Sequence, residues 1–128
     1  MILYHDLVEI EVGDTCIFDN KARINKKEIE KEAINTVKKK VPKLLSNEIK
    51  ELFLEYEDNK TREAQFVKAI DKLEPIIHNL SHPKLWKDHK VTEKILRDKK
   101  EEVISKFPQI LEVFEELVDI LKNENYFA

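Results

Sequence analysis

Apolar residues recur along most of this chain at the three- and four-residue spacing of amphipathic helices. Met1–Val12 reads as a helix whose apolar positions run nearly all the way round, so deep burial is expected. Gly13 ends it in the manner of a left-handed cap, and a loop follows to about Asn20. From Lys26 to Val41 the residues Ile29, Ala33, Ile34, Val37 and Val41 form one stripe, and Pro42 stops it. Ser46 is placed to cap the next helix, with Leu52, Phe53 and Tyr56 on its inner face. Asp58-Asn59-Lys60 is a turn. Thr61 then caps a helix to about Leu80 with Phe66, Ala69, Ile70, Leu73, Ile76 and Ile77 inside and a kink expected at Pro75.

The stretch Ser81–Lys90 reads as irregular, with Trp86 packed inside it. Thr92–Arg97 and Lys99–Lys106 read as two short helices. Pro108 opens a last helix to about Glu124, with Ile110, Leu111, Phe114, Leu117, Val118 and Leu121 inside. No repeat or low-complexity linker interrupts the pattern. The expectation is a single all-α domain over residues 1–128, a bundle of five to seven helices.

Composition supports this class. One Gly and four Pro among 128 residues are too few for an all-β sandwich with its many tight turns. The net charge of −3 and the acidic residues around every lysine cluster (Lys26-Lys27, Lys38-Lys39-Lys40, Lys99-Lys100) argue against a nucleic-acid partner. Those lysines read as solvated helix faces. Cys16 is the only cysteine, so no internal disulfide can form, which fits a reducing compartment. The N-terminus lacks the features of a signal peptide, and no apolar run reaches the roughly 20 residues a membrane helix needs. A cytoplasmic protein with no membrane partner is expected.

Two polar features stand out against the apolar pattern. His5, Asp6, Glu9 and Asp14 fall within ten residues of one another at the start. On a helix, Glu9 shares a face with both His5 and Asp6, and an ion at the edge between His5 and Asp6 is within reach of both. Imidazole and carboxylate together suit Mn, Co, Ni, Fe or Zn, and Mg less well. The dipeptide alone equally fits a polar edge or a histidine paired with its neighbour. Asp71 lies between Val67, Ile70 and Leu73 on the border of a strongly apolar face. A carboxylate there needs a partner: a lysine (Lys43, Lys68 or Lys72), or a metal ion.

These residues sit in longer motifs. His5-Asp6-Leu7-Val8-Glu9-Ile10 followed by Gly13-Asp14-Thr15 resembles the central helix and turn of HD-domain metal-dependent phosphohydrolases, in the branch containing 5'-deoxynucleotidases. Leu54-Glu55-Tyr56-Glu57 and the run from Thr61 to Pro75 are similar to that branch's second signature, and Trp86-Lys87-Asp88-His89-Lys90-Val91 also has its counterpart there. The resemblance runs from Met1 to roughly Arg97. It implies an HD-like helical bundle and a divalent metal ion held by His5, Asp6 and Asp71. It also implies that Glu9 and Asp14 are the acidic residues beside the metal and the phosphate ester. The implied substrate is a nucleoside monophosphate or related small phosphoester.

The family also places a histidine ligand on a helix before the His-Asp pair, and His78, His82 and His89 do not match it. His78 follows Asp71 by seven residues and is a candidate substitute. The expectation is therefore an N-terminally truncated HD-like domain whose site is impaired or completed from elsewhere. Met1, Ile2, Leu3, Leu7 and Val8 would lose their cover, which predicts a homo-oligomer formed through the opening helix. The competing reading is a catalytically inactive remnant acting as a helical oligomerisation or binding module.

Overall fold

The structure, a computed structural model, describes residues 1–13 and 26–128. Among the described residues it is all-α: α1 (Glu9–Val12), α2 (Lys26–Lys40), α3 (Lys43–Asp58), α4 (Arg62–His78), a 3-10 turn (Asn79–Ser81), α5 (Pro83–Asp88), α6 (Glu93–Ile104) and α7 (Pro108–Asn123). None of these helices is long and apolar enough to cross a membrane. The chain gathers into two compact units, Met1–Ala64 and Gln65–Ala128.

In the first unit, α2 packs against both α1 and α3. Val8, Ala33, Ile34, Val37, Ile49 and Phe53 form its core, flanked by Tyr4, Leu7, Val41, Leu45 and Leu54. The opening segment departs from the continuous helix expected. Residues 2–8 are turns, and only Glu9–Val12 is α-helical. The amides of Tyr4, Leu7, Glu9, Ile10 and Glu11 each donate to the carbonyl three residues back, a tighter winding than the α-helix. Val8 stands at the cap position and supplies no side-chain acceptor, so nothing offsets the cost of starting a helix there. Nor is the segment buried all round. Val8 is enclosed, whereas Leu3 and Ile10 are 81% and 76% exposed.

Gly13 ends α1 with its amide on the Glu9 carbonyl. Its φ of +79° is the positive value glycine adopts at no steric cost, but ψ of 158° takes it out of the left-handed helical region expected. Pro42 rather than Ser46 precedes α3. Ser46 lies inside that helix, buried, and its hydroxyl donates to the Lys43 carbonyl at 3.1 Å. Asn59 closes α3 with φ +55°, as the expected turn requires.

Thr61 caps α4 as expected: its oxygen accepts the Ala64 amide at 3.2 Å, and its hydroxyl donates to Glu55 Oε1 at 2.6 Å. The helix runs through Pro75, which has no N–H to offer the carbonyl of Asp71 one turn earlier. Phe66 and Ile77, expected inside, are each about half exposed, and the buried stripe is Ala64, Val67, Ala69, Leu73 and Ile76. Phe66 still packs edge-on against Phe107, ring centres 5.4 Å apart.

In the second unit, α6 packs on α7. The segment expected to be irregular instead holds the 3-10 turn and α5, opened by Pro83. Trp86 is buried there, donates to the Asn79 carbonyl at 3.1 Å and meets Tyr126 and Phe127 edge-on. The two short helices expected after it are one, α6, capped by Thr92. Phe107, Ile110, Phe114, Leu117, Val118 and Leu121 line the buried side of α7 and its start. Lys100, expected on a solvated face, is buried and donates to the Lys72 carbonyl at 2.7 Å.

Candidate metal centre

The tight turn of residues 2–8 fixes the imidazole of His5. Its Nδ1 lies 2.7 Å from the carbonyl oxygen of Ile2. A carbonyl cannot donate, so Nδ1 carries a proton, and Nε2 is the ring nitrogen left to face a second partner. The turn that displaces the expected helix is thus what selects the tautomer. From α3 the buried ring of Tyr56 packs on the imidazole, centres 5.0 Å apart and tilted by 56°.

Nε2 of His5 faces Oδ2 of Asp6 at 3.2 Å. A lone pair and a carboxylate oxygen repel at that distance unless positive charge lies between or beside them, either a proton on Nε2 or a cation bound by both. One imidazole nitrogen and one carboxylate oxygen, with the other ring nitrogen held by a carbonyl, is a donor set that suits a divalent transition-metal ion. The His5 side chain is mostly enclosed while the Asp6 carboxylate opens to solvent, so the pair is accessible from one side.

Glu9 lies on α1, one turn beyond His5. Its Oε1 is 3.4 Å from Nζ of Lys26 on α2, and the same ammonium is 3.2 Å from Oε1 of Glu30. Burial works against the charged form of Lys26, but Glu30 and then Glu9 outweigh it and hold the amine above the usual lysine range. Lys26, expected with Lys27 on a solvated face, is instead largely enclosed, and Glu30 was not singled out in the sequence. The four-residue spacing of the two was legible as a helix pair, but Glu9 is 17 residues from Lys26 and only tertiary packing brings it there. Asp14 and Cys16 lie outside the described residues.

In the second unit Asp71 is half-buried on α4, with one carboxylate oxygen 3.9 Å from Lys72 Nζ, one of the lysines expected to partner it. His78 is exposed at the end of the same helix, 3.8 Å from Glu74 and stacked on His82, ring centres 6.2 Å apart. His82 in turn contacts the Ser81 hydroxyl at 2.8 Å.

With this geometry in view, the model of the HD domain matches residues 1–111. The chain belongs to the HD domain family. Among relatives of this HD-domain chain, a 5'-deoxynucleotidase of Xenopus laevis is 38% identical over 87 residues, covering 68% of the chain and 43% of the relative. One from Schizosaccharomyces pombe is 40% identical over 90 residues, covering 67% and 46%. The human 5'-deoxynucleotidase is 34% identical over 119 residues, covering 91% and 56%. The chain therefore spans about half the length of the curated relatives it matches. A crystal structure of a predicted metal-dependent phosphohydrolase from Magnetospirillum magnetotacticum superposes with a TM-score of 0.79 at 34% identity, covering 98% of the chain and 65% of that protein. The fold of this HD-domain protein is thus the all-α one its opening motif implied.

Proposed function

We propose that this HD-domain protein is a metal-dependent phosphohydrolase acting on deoxynucleoside monophosphates or closely related phosphoesters. The observation that carries the reading is the His5–Asp6 pair, an imidazole nitrogen and a carboxylate oxygen 3.2 Å apart in a chain of this family. The 5'-deoxynucleotidase relatives support the substrate class. In this reading His5 and Asp6 hold a divalent ion, Mn, Co, Fe, Ni, Zn or Mg, and Asp71 from α4 is the third protein ligand. Such an ion supplies a Lewis acid that polarises the phosphoryl group and makes water a better nucleophile. Glu9 accepts a proton from the attacking water and orients it. Asp14 donates a proton to the departing alkoxide as the P–O ester bond breaks. The products are inorganic phosphate and the nucleoside.

Phosphate release from deoxynucleoside monophosphates with Mn or Co tests this. His5→Ala and Asp71→Ala should each cut the rate by about 100-fold or more, the order seen when a metal site loses a ligand or its support. The added metal should raise the melting temperature of the unaltered protein and not of His5→Ala. Activity that survives either substitution places the site wrongly. No release and no bound metal would leave a helical binding module. Self-association through the exposed Ile2, Leu3 and Ile10 belongs to the same reading. A monomer by light scattering at micromolar concentration would remove that part of it.

A further inference from the structure

Three charged groups are gathered between α1 and α2 with little access to water: Glu9, Lys26 and Glu30. Glu30 is the most deeply enclosed, its side chain only 9% exposed. A carboxylate in such a place depends on its counter-ion, and removing one partner strands the other. Glu30 sits one turn from Lys26 on the same helix, so the ammonium is anchored from within α2. Glu9 reaches this anchored charge from α1.

A second ion pair joins the same two helices. Lys40 Nζ lies 2.6 Å from Glu11 Oε1, with the lysine largely in solvent. The junction of α1 and α2 thus has an electrostatic tie that does not involve Glu9. Apolar packing of Val8 with Ala33, Ile34 and Val37 holds it as well. Pinning the helices does not by itself account for a costly, enclosed lysine shared by two carboxylates.

We propose that Lys26 is a positioning residue for hydrolysis: anchored by Glu30, it fixes the rotamer of Glu9 and presents that carboxylate as an acceptor of the water's proton. This rests on the role given to Glu9 above.

Lys26→Met keeps the length of the stem and removes the charge. It should lower kcat by about 10- to 100-fold, the scale of a misplaced reacting group, with KM changed less than about twofold. Lys26→Arg should recover most of the loss. Lys40→Met, which cuts the other tie between α1 and α2, should leave kcat and KM unchanged. If stranding Glu30 prevents Lys26→Met from folding, the pair Lys26→Met with Glu30→Gln removes both charges and should show the same kcat loss. An unchanged kcat in the Lys26 variants overturns the proposal, as does an equal loss in Lys40→Met. The carbon-13 carboxyl resonance of Glu9, assigned by its disappearance in Glu9→Gln, gives a readout free of turnover. It should move in Lys26→Met and stay in Lys40→Met. A wild-type protein that releases no phosphate fails the hydrolase reading, whereas a Glu9 resonance that ignores Lys26 fails this one.

Discussion

At the scale of single residues, hydrogen bonds decide what each titratable group can do. The Ile2 carbonyl engages Nδ1 of His5 and leaves Nε2 facing Asp6. Arg97 shows the same control on a structural group. Its guanidinium grips Glu115 with two bonds of 2.8 Å, reaches Glu93 at 3.0 Å and lies over the Phe114 ring. The hydrogen bonds from Arg97 hold Glu115 below the usual carboxylate range, and those from Arg97 and Lys122 do the same for Glu93. A carboxylate whose folded pKa is depressed adds stability above its unfolded pKa and loses it as pH falls through the folded value. Arg97→Met should therefore melt about 2–4 °C lower than wild type near pH 7, since the groups are mostly solvated. The gap should close as pH drops from about 5 towards 2. Thermal scans across that range check it, and a gap that widens in acid would contradict the assignment.

At the scale of elements, caps and tertiary cover set where helices begin. Thr92 accepts the Ile95 amide at 3.2 Å and starts α6, which then runs unbroken to Ile104. The sequence pattern reads as two short helices, Thr92–Arg97 and Lys99–Lys106, with a break at Asp98. The break vanishes because Lys100 is buried with its ammonium on the Lys72 carbonyl, so its stem joins the inner face as an apolar residue would. Thr92→Ala should cost about 1 kcal/mol in urea unfolding, and Thr92→Ser much less. The opening segment is the converse case. Its residues suggested a helix, but without a cap and with Ile2, Leu3 and Ile10 in solvent it winds as tight turns.

At the scale of the whole molecule, each compact unit encloses large apolar side chains of its own. Phe53 in the first and Phe114 in the second are both almost fully enclosed. Phe53→Ala and Phe114→Ala should each destabilise by about 3–5 kcal/mol through lost burial and the cavity left behind. Leu44, 92% exposed, is an apolar residue of the same chain that should matter little, so Leu44→Ala should stay within about 0.5 kcal/mol of wild type. Denaturant melts of the three variants test whether burial, rather than apolar character alone, sets the contribution.

Helical class, most helix positions, the cap at Thr61, the helix start at Pro108 and the His5-Asp6 motif were legible along the chain. Period, propensity and capping act between residues a few positions apart, so they are written in local order. The tautomer of His5, the burial of Lys26 and Lys100 and the meeting of Glu9 with Lys26 were not. Each depends on a turn or a neighbour that exists only once helices pack, and a charged side chain carries no local mark of whether water or another part of the chain will surround it.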